Sequence, residues 1–162
     1  MGFGLVYRFK VVFLFLLLAG VTVKVCSAPQ PPREPAPIER GVLAEKFVRE
    51  KLPFWQNRLQ LQDWKISVLA VHPSDMRPHT LGNIHWDTDN KTAVIRVLNA
   101  SDYQTPFRAT LDDLEFTLVH ELIHLELVPL PRSEASRSDE EYAINHLAAA
   151  LIQSEHHGHS NN

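Results

Sequence analysis

The sequence of 162 residues contains a single cysteine, Cys26, and therefore cannot form an internal disulfide bond. Basic residues are not in excess either, because 16 Lys and Arg stand against 19 Asp and Glu and give a formal net charge of −3. Binding to nucleic acid or to anionic membranes needs a concentrated basic face, so the composition argues against both. No internal repeat is evident. The length indicates one domain, and a hydrophobic content of 44% is sufficient for a core, so stability must come from packing, with or without a bound metal.

The N-terminal segment has the pattern of a signal peptide. Arg8 and Lys10 precede an apolar run over Val11–Val23, and the small-residue sequence Cys26-Ser27-Ala28 follows. The run is shorter than the ~20 apolar residues of a membrane-spanning helix, and a lysine follows it directly. We therefore predict a signal peptide over residues 1–28 and an extracytoplasmic protein, either secreted or periplasmic. An uncleaved membrane anchor is the alternative, and only this alternative implies contact with a membrane.

The rest of the chain divides into a linker, one domain and a tail. Residues 29–37 contain five prolines and favour an extended spacer. Residues 38–153 carry the periodic apolar patterns of a single folded domain. Residues 154–162 include several histidines and are predicted to be a disordered tail, with fortuitous metal binding as the alternative.

The predicted fold class is α+β. Apolar residues at helical spacing predict N-terminal helices over residues 38–61, with Pro53 expected to divide the stretch into two. Alternating and β-branched residues predict a strand over residues 64–71. Residues 81–86 and 92–98 flank a polar, turn-forming stretch and predict a β-hairpin. The sheet is thus expected to be mixed or antiparallel, with at least three strands.

The segment from Thr110 to Val128 is predicted to be a long helix. It begins with a capping arrangement of Thr110 and Asp113 and stops before Pro129. Two apolar stripes border a polar strip, so both flanks of the helix are expected to be buried. The apolar residues are Leu111, Leu114, Leu118, Leu122 and Leu125 in one stripe and Phe116, Val119, Ile123 and Leu127 in the other. The polar strip contains Asp113, Thr117, His120, Glu121 and His124.

The sequence His120-Glu121-Leu122-Ile123-His124 in this strip suggests a metal site. A polar group held between buried stripes costs about 1 to 3 kcal/mol when it has no partner, and a metal ion can serve as that partner. Residues four apart on a helix lie about 5 to 6 Å from each other on one face, so His120 and His124 can direct two imidazole nitrogens at one ion. Glu121 reaches the open side of that ion. Glu115 and Glu126 are expected to point away from it.

A second helix over residues 139–152 is expected to pack against the motif helix, because the intervening residues can turn the chain back. Its predicted buried face contains Ile144, Leu147, Ala148 and Leu151. Glu140 and Glu141 lie four and three residues before Ile144, close to this face. Either glutamate can therefore approach the two histidines as a third metal ligand.

These motifs resemble those of the zincin metallopeptidases, and in particular the glutamate-zincins, in which a helix after H-E-x-x-H supplies a third ligand from Glu-x-x-x-Asp or Glu-x-x-x-Asn. Glu141 and Asn145 match that pattern, whereas Glu140 would put Ile144 at the polar position. The resemblance favours Glu141 as the ligand and Asn145 as the residue that orients a histidine, with Glu140 as the alternative ligand. It covers residues 64–152 and extends to minimal metallopeptidases of bacteria and phages and, more distantly, to ImmA/IrrE-type peptidases. The metzincin pattern is absent, because no Gly-x-x-His follows the motif.

The resemblance implies a bound Zn²⁺ and hydrolysis of a peptide or protein substrate, with Glu121 as the general base. It also implies that the substrate lies along an edge strand beside the motif helix, for which residues 92–98 are the candidate. No second donor to the reacting carbonyl stands out among His85, Tyr103, Tyr142 and His146. A monomer is expected. The alternative functions are a zinc-binding regulatory or interaction module of the cell envelope without catalytic activity, and an envelope interaction domain without metal.

Overall fold

The computed structural model describes residues 33–131 and 137–159. Within these ranges the fold is α+β, as predicted, and consists of three helices and a three-stranded mixed sheet. The elements in chain order are α1 (Pro37–Arg58), β1 (Lys65–Val71), β2 (Gly82–Asp87), β3 (Thr92–Leu98), α2 (Phe107–Glu126) and α3 (Arg137–His159). The predicted signal peptide and residues 29–32 of the predicted linker lie outside the described residues. In the part that is described, no helix combines the length and apolar character needed to cross a membrane.

Helix α1 is continuous, so the predicted division at Pro53 is wrong. A proline inside a helix removes one backbone hydrogen bond and costs about 3 kcal/mol. The side chains of Val48, before the proline, and Trp55, after it, are both buried in the core. Burial of two large side chains on either side of Pro53 offsets the cost of the proline and holds the two halves in one helix.

The sheet has the strand order β1-β3-β2, with β3 parallel to β1 and antiparallel to β2. The hairpin of β2 and β3 is confirmed by a register that pairs Ile84 with Ile95. Both edges of β3 are hydrogen-bonded to neighbouring strands, so the expectation that residues 92–98 form an edge strand is wrong. The edge strand that packs on α2 is β2. Periodicity marks strands but does not determine their order in the sheet.

Helix α2 carries the predicted two buried stripes around its polar strip. Leu114, Leu118 and Leu122 are buried in one stripe, and Val119 and Ile123 are buried in the other. The helix begins one turn earlier than predicted. Its N-cap residue Pro106 provides no side-chain hydrogen bond, and the Phe107 N–H donates instead to Glu34 Oε2 at 2.9 Å. Thr110 is instead buried inside the helix, where its hydroxyl accepts a hydrogen bond of 2.7 Å from Arg40 Nη2. The predicted capping role of Thr110 is therefore wrong, because Thr110 lies inside the helix and its hydroxyl is hydrogen-bonded to Arg40 on α1.

Helix α3 packs against α2, as the sequence predicts for the second helix. Ile144 and Ala148 are fully buried in this contact, whereas Leu147 is 51% exposed. The helix continues to His159 and so enters the segment expected to be a disordered tail. A contact to another element accompanies this extension, since Arg58 Nη2 on α1 lies 3.7 Å from Glu155 Oε2.

Candidate metal centre

The two histidines of the motif and Glu121 lie in the middle of α2, where the buried leucines fix the rotation of the helix. The side chains of His120 and His124 are 14% and 13% exposed. Glu121 is 6% exposed as a residue. All three side chains face α3 and β2 rather than bulk solvent, so they form the floor of a cleft.

Glu141 on α3 meets the two histidines on α2. The two Nε2 atoms of His120 and His124 are 3.1 Å apart. The Glu141 carboxylate places one oxygen 3.3 Å from His120 Nε2 and the other 3.4 Å from His124 Nε2. The three residues thus form a group whose donor atoms lie within 4.8 Å of one another.

The spacing of these donor atoms fits a metal ion. Ligand atoms at about 2.0 to 2.2 Å from a tetrahedral ion are separated from each other by roughly 3.3 to 3.6 Å. The Nε2–Nε2 separation of 3.1 Å, and the distances of 3.3 and 3.4 Å from each Nε2 to a different oxygen of Glu141, are close to this range. The donor set of two imidazoles and one carboxylate is also a common one for transition metals. His120, His124 and Glu141 can therefore hold a metal ion.

The outer nitrogens of the same two imidazoles have partners of their own on α3. Asn145 Oδ1 lies 3.1 Å from His120 Nδ1. Glu140 Oε1 lies 3.6 Å from His124 Nδ1. An acceptor on Nδ1 fixes the ring orientation and leaves the Nε2 lone pair for a metal. The neighbouring glutamates thus lie at different nitrogens, with Glu141 beside both Nε2 atoms and Glu140 beside one Nδ1 atom.

Glu121 is a buried carboxyl group of the cleft with a raised pKa. Burial raises its pKa to about 7, and the negative charge of nearby Glu141 adds to the increase. No hydrogen bond or ion pair to its side chain is seen within residues 33–131 and 137–159. A carboxyl group with a pKa near neutrality can both accept and return a proton at physiological pH.

Gly82, the first residue of β2, allows the edge strand to lie close against this part of α2. A Cβ atom at position 82 would overlap the Thr117 methyl group and would lie 3.0 Å from Glu121 Oε1. Any side chain there would displace either the strand or Glu121. Sequence reasoning missed Gly82, because a single glycine at a strand end has no periodic signal. The nearest hint was its position at the start of the predicted hairpin.

The cleft has a volume of about 1050 Å³. One wall consists of the motif residues and α3, and the other consists of β2 and the loop before it. Of the four candidate donors to a reacting carbonyl, only His85 lines this cleft. Tyr103 is buried in the core, and Tyr142 contacts His146 on the exposed side of α3, with ring centres 4.4 Å apart and ring planes inclined by 60°.

Glu115 is a second buried carboxylate on α2, and it lies outside the cleft. It is 3% exposed and accepts a hydrogen bond of 2.8 Å from Trp55 Nε1. Lys51 Nζ lies 2.8 Å from the same carboxylate. The sequence prediction placed Glu115 away from the metal but missed its burial. A buried tryptophan needs an acceptor for its N–H, and this requirement was the only available signal.

No protein-family model, no curated protein and no solved structure matches this chain.

Proposed function

We propose that the protein is a zinc-dependent peptidase whose metal is held by His120, His124 and Glu141. The observation that carries the proposal is the metal-compatible triad with Glu121 beside it in the same cleft. Two imidazoles and one carboxylate are the ligands of many catalytic zinc sites, which keep a fourth position open. The same donors also suit Fe(II), but the Glu121 carboxyl group in the same cleft can accept a proton from water, which favours hydrolysis over oxygen chemistry.

Zn²⁺ supplies Lewis acidity, which polarises a carbonyl group and lowers the pKa of water to about 7. Glu121 accepts the proton of the attacking water on its carboxylate and returns it to the leaving amine. Asn145 Oδ1, 3.1 Å from His120 Nδ1, orients that imidazole so that its Nε2 points inward, and the Glu140 carboxylate lies 3.6 Å from His124 Nδ1.

The substrate lies along β2 in this proposal. β2 is hydrogen-bonded to β3 on one side only, and residues 82–86 line the cleft beside the motif helix. An extended peptide can pair with the outer edge of such a strand through main-chain hydrogen bonds. This arrangement replaces the one expected for β3, whose two edges are already paired. The extracytoplasmic location stays a prediction from the N-terminal sequence.

The proposal is tested by metal analysis and peptide hydrolysis on purified protein. We expect close to one equivalent of zinc, its loss in His120→Ala, and its retention in Glu121→Gln with turnover reduced by about 10²- to 10⁴-fold. Glu126→Gln is the matched control, because Glu126 lies on the same helix but is exposed. If Glu121→Gln cleaves a peptide library as fast as the parent protein, the enzymatic assignment is wrong. Bound zinc with no hydrolysis by the parent would favour the non-catalytic zinc module.

A further inference from the structure

The arginines of the folded domain separate into two groups by their contacts. From α1 onward the described residues include seven arginines. Four of them form a hydrogen bond or an ion pair with another side chain: Arg40 with Thr110, Arg49 with Glu45, Arg58 with Glu155, and Arg108 with Asp112. The other three are Arg77, Arg96 and Arg137, whose guanidinium groups have no such partner within residues 33–131 and 137–159. All three line the cleft of the candidate metal centre.

The cleft is lined by these three arginines and by four acidic residues, in a chain whose net charge is −3. The acidic residues that line the cleft are Asp75 and the three glutamates of the metal centre. Outside the metal centre, the charged lining residues are therefore three arginines and one aspartate. Arg137 lies one helical turn before Glu140 and Glu141, yet it forms no ion pair with either. Unpaired guanidinium groups in a cleft attract anions and bind carboxylates through two parallel hydrogen bonds.

The three arginines belong to three separate parts of the fold. Arg77 is in the loop before β2, Arg96 is on the central strand β3, and Arg137 begins α3. Ile95 and Val97 are buried, so strand alternation directs the side chain of Arg96 to the opposite face of the sheet. Arg77 and Arg137 are therefore the arginines better placed to contact a peptide on β2.

We propose that the cleft selects peptides with acidic side chains, an inference that rests on the proposed peptidase function. Arginines on separate elements of the fold can each bind a different carboxylate along an extended peptide. A single C-terminal carboxylate would engage only one of them. The preference for Asp and Glu side chains therefore follows better from this arrangement than a preference for a free chain end.

Peptide binding tests the inference without requiring turnover. Fluorescent peptides with amidated C-termini are titrated into Glu121→Gln protein, and anisotropy gives Kd for a Glu-rich sequence and for its Gln and Lys counterparts. A neutral peptide with a free C-terminus forms the fourth arm. We expect the Glu-rich peptide to bind at least about 10-fold more tightly than the Gln peptide, with a smaller ratio at high salt.

Arginine variants assign the preference to the cleft. Arg77→Gln and Arg137→Gln should each reduce the Glu-to-Gln affinity ratio by about 3- to 10-fold, and Arg96→Gln should reduce it less. Arg108→Gln, at an exposed pair with Asp112, should leave the ratio unchanged. Equal affinity for the Glu and Gln peptides, absence of binding by all four, or a gain confined to the free C-terminus overturns the inference.

The peptidase proposal can fail separately. Acidic peptides that bind but are never hydrolysed by the zinc-loaded parent protein would overturn the peptidase and leave the arginine preference as a property of binding. A parent protein that hydrolyses neutral peptides faster than acidic ones would overturn only the preference.

Discussion

Helix α2 carries two buried glutamates that differ in their hydrogen-bond and ion-pair partners. Glu115 and Glu121 are 3% and 6% exposed. Glu115 has Trp55 Nε1 and Lys51 Nζ at 2.8 Å each, so its burial is compensated by a donor and a cation. Glu121 faces the cleft without either, and its pKa rises to about 7. Similar burial is thus accompanied by a donor and a cation at Glu115, whereas at Glu121 burial and the charge of Glu141 raise the pKa.

The largest expected effect is on stability at Glu115. Glu115→Ala leaves the Trp55 N–H and the Lys51 ammonium without their acceptor, and we expect the free energy of unfolding to fall by about 3 kcal/mol. Denaturant titration measures the change, with Glu126→Ala as the exposed control on the same helix. The zinc content of the folded variant should match that of the parent protein. A loss no larger than that of the control would mean that the Glu115 contacts contribute little to stability.

At Glu121 the expected effect depends on pH and has the opposite sign. In metal-free protein the pKa of Glu121 is about 7, against an ordinary value of 4.5, so the folded state binds this proton more tightly than the unfolded state does. Ionisation of Glu121 therefore destabilises the fold increasingly as the pH rises from 4.5 to about 7. Glu121→Gln removes this dependence. Its free energy of unfolding relative to the parent should increase by about 2 to 3 kcal/mol over that range.

Urea unfolding of both proteins in chelator, at several pH values, measures this difference. Glu115→Gln is the matched comparison, because it changes the same residue type at similar burial. Parallel curves for the parent and Glu121→Gln across the range would contradict a raised pKa at Glu121.

The smallest effect on stability is expected for Gly82→Ala. This substitution is expected to displace the Glu121 side chain but leaves the residue a glutamate. The added methyl group overlaps Thr117 and lies close to Glu121 Oε1, so we expect a loss of about 1 to 2 kcal/mol in unfolding free energy. Turnover of peptides should fall by about 10-fold if Glu121 is the base, because a small misplacement of a catalytic group is costly. Gly158→Ala is the control, since its Cβ meets open space on α3. A stabilising Gly82→Ala would show that β2 does not press on the helix.

Local patterns predicted most of the elements and the centre of the site. The spacing of leucines around His120 and His124 defined α2, and the polar stretch between two alternating segments defined the hairpin. Each of these signals lies within a few residues of sequence, and each reflects the periodicity of one element. The spacing of Glu141 from Ile144 likewise put a carboxylate near the face of α3 that packs on α2.

The features that sequence reasoning missed depend on contacts between distant elements. Pro53 lies inside α1 because Val48 and Trp55 pack in the core. Thr110 does not cap α2, and its hydroxyl accepts a hydrogen bond from Arg40 instead. The place of β3 between its neighbours and the close approach of Gly82 to α2 are also tertiary properties. Local propensity is a weak prior wherever packing of this kind decides the outcome.

The division of the candidate metal ligands between two helices has a consequence during biosynthesis. His120, Glu121 and His124 leave the ribosome together on α2, but Glu141 follows on α3 and joins them only when Ile144 and Ala148 dock. A nascent chain that ends before α3 therefore carries the pentapeptide motif without a complete centre. The order of translation thus delays the centre until the segment that closes it has been made.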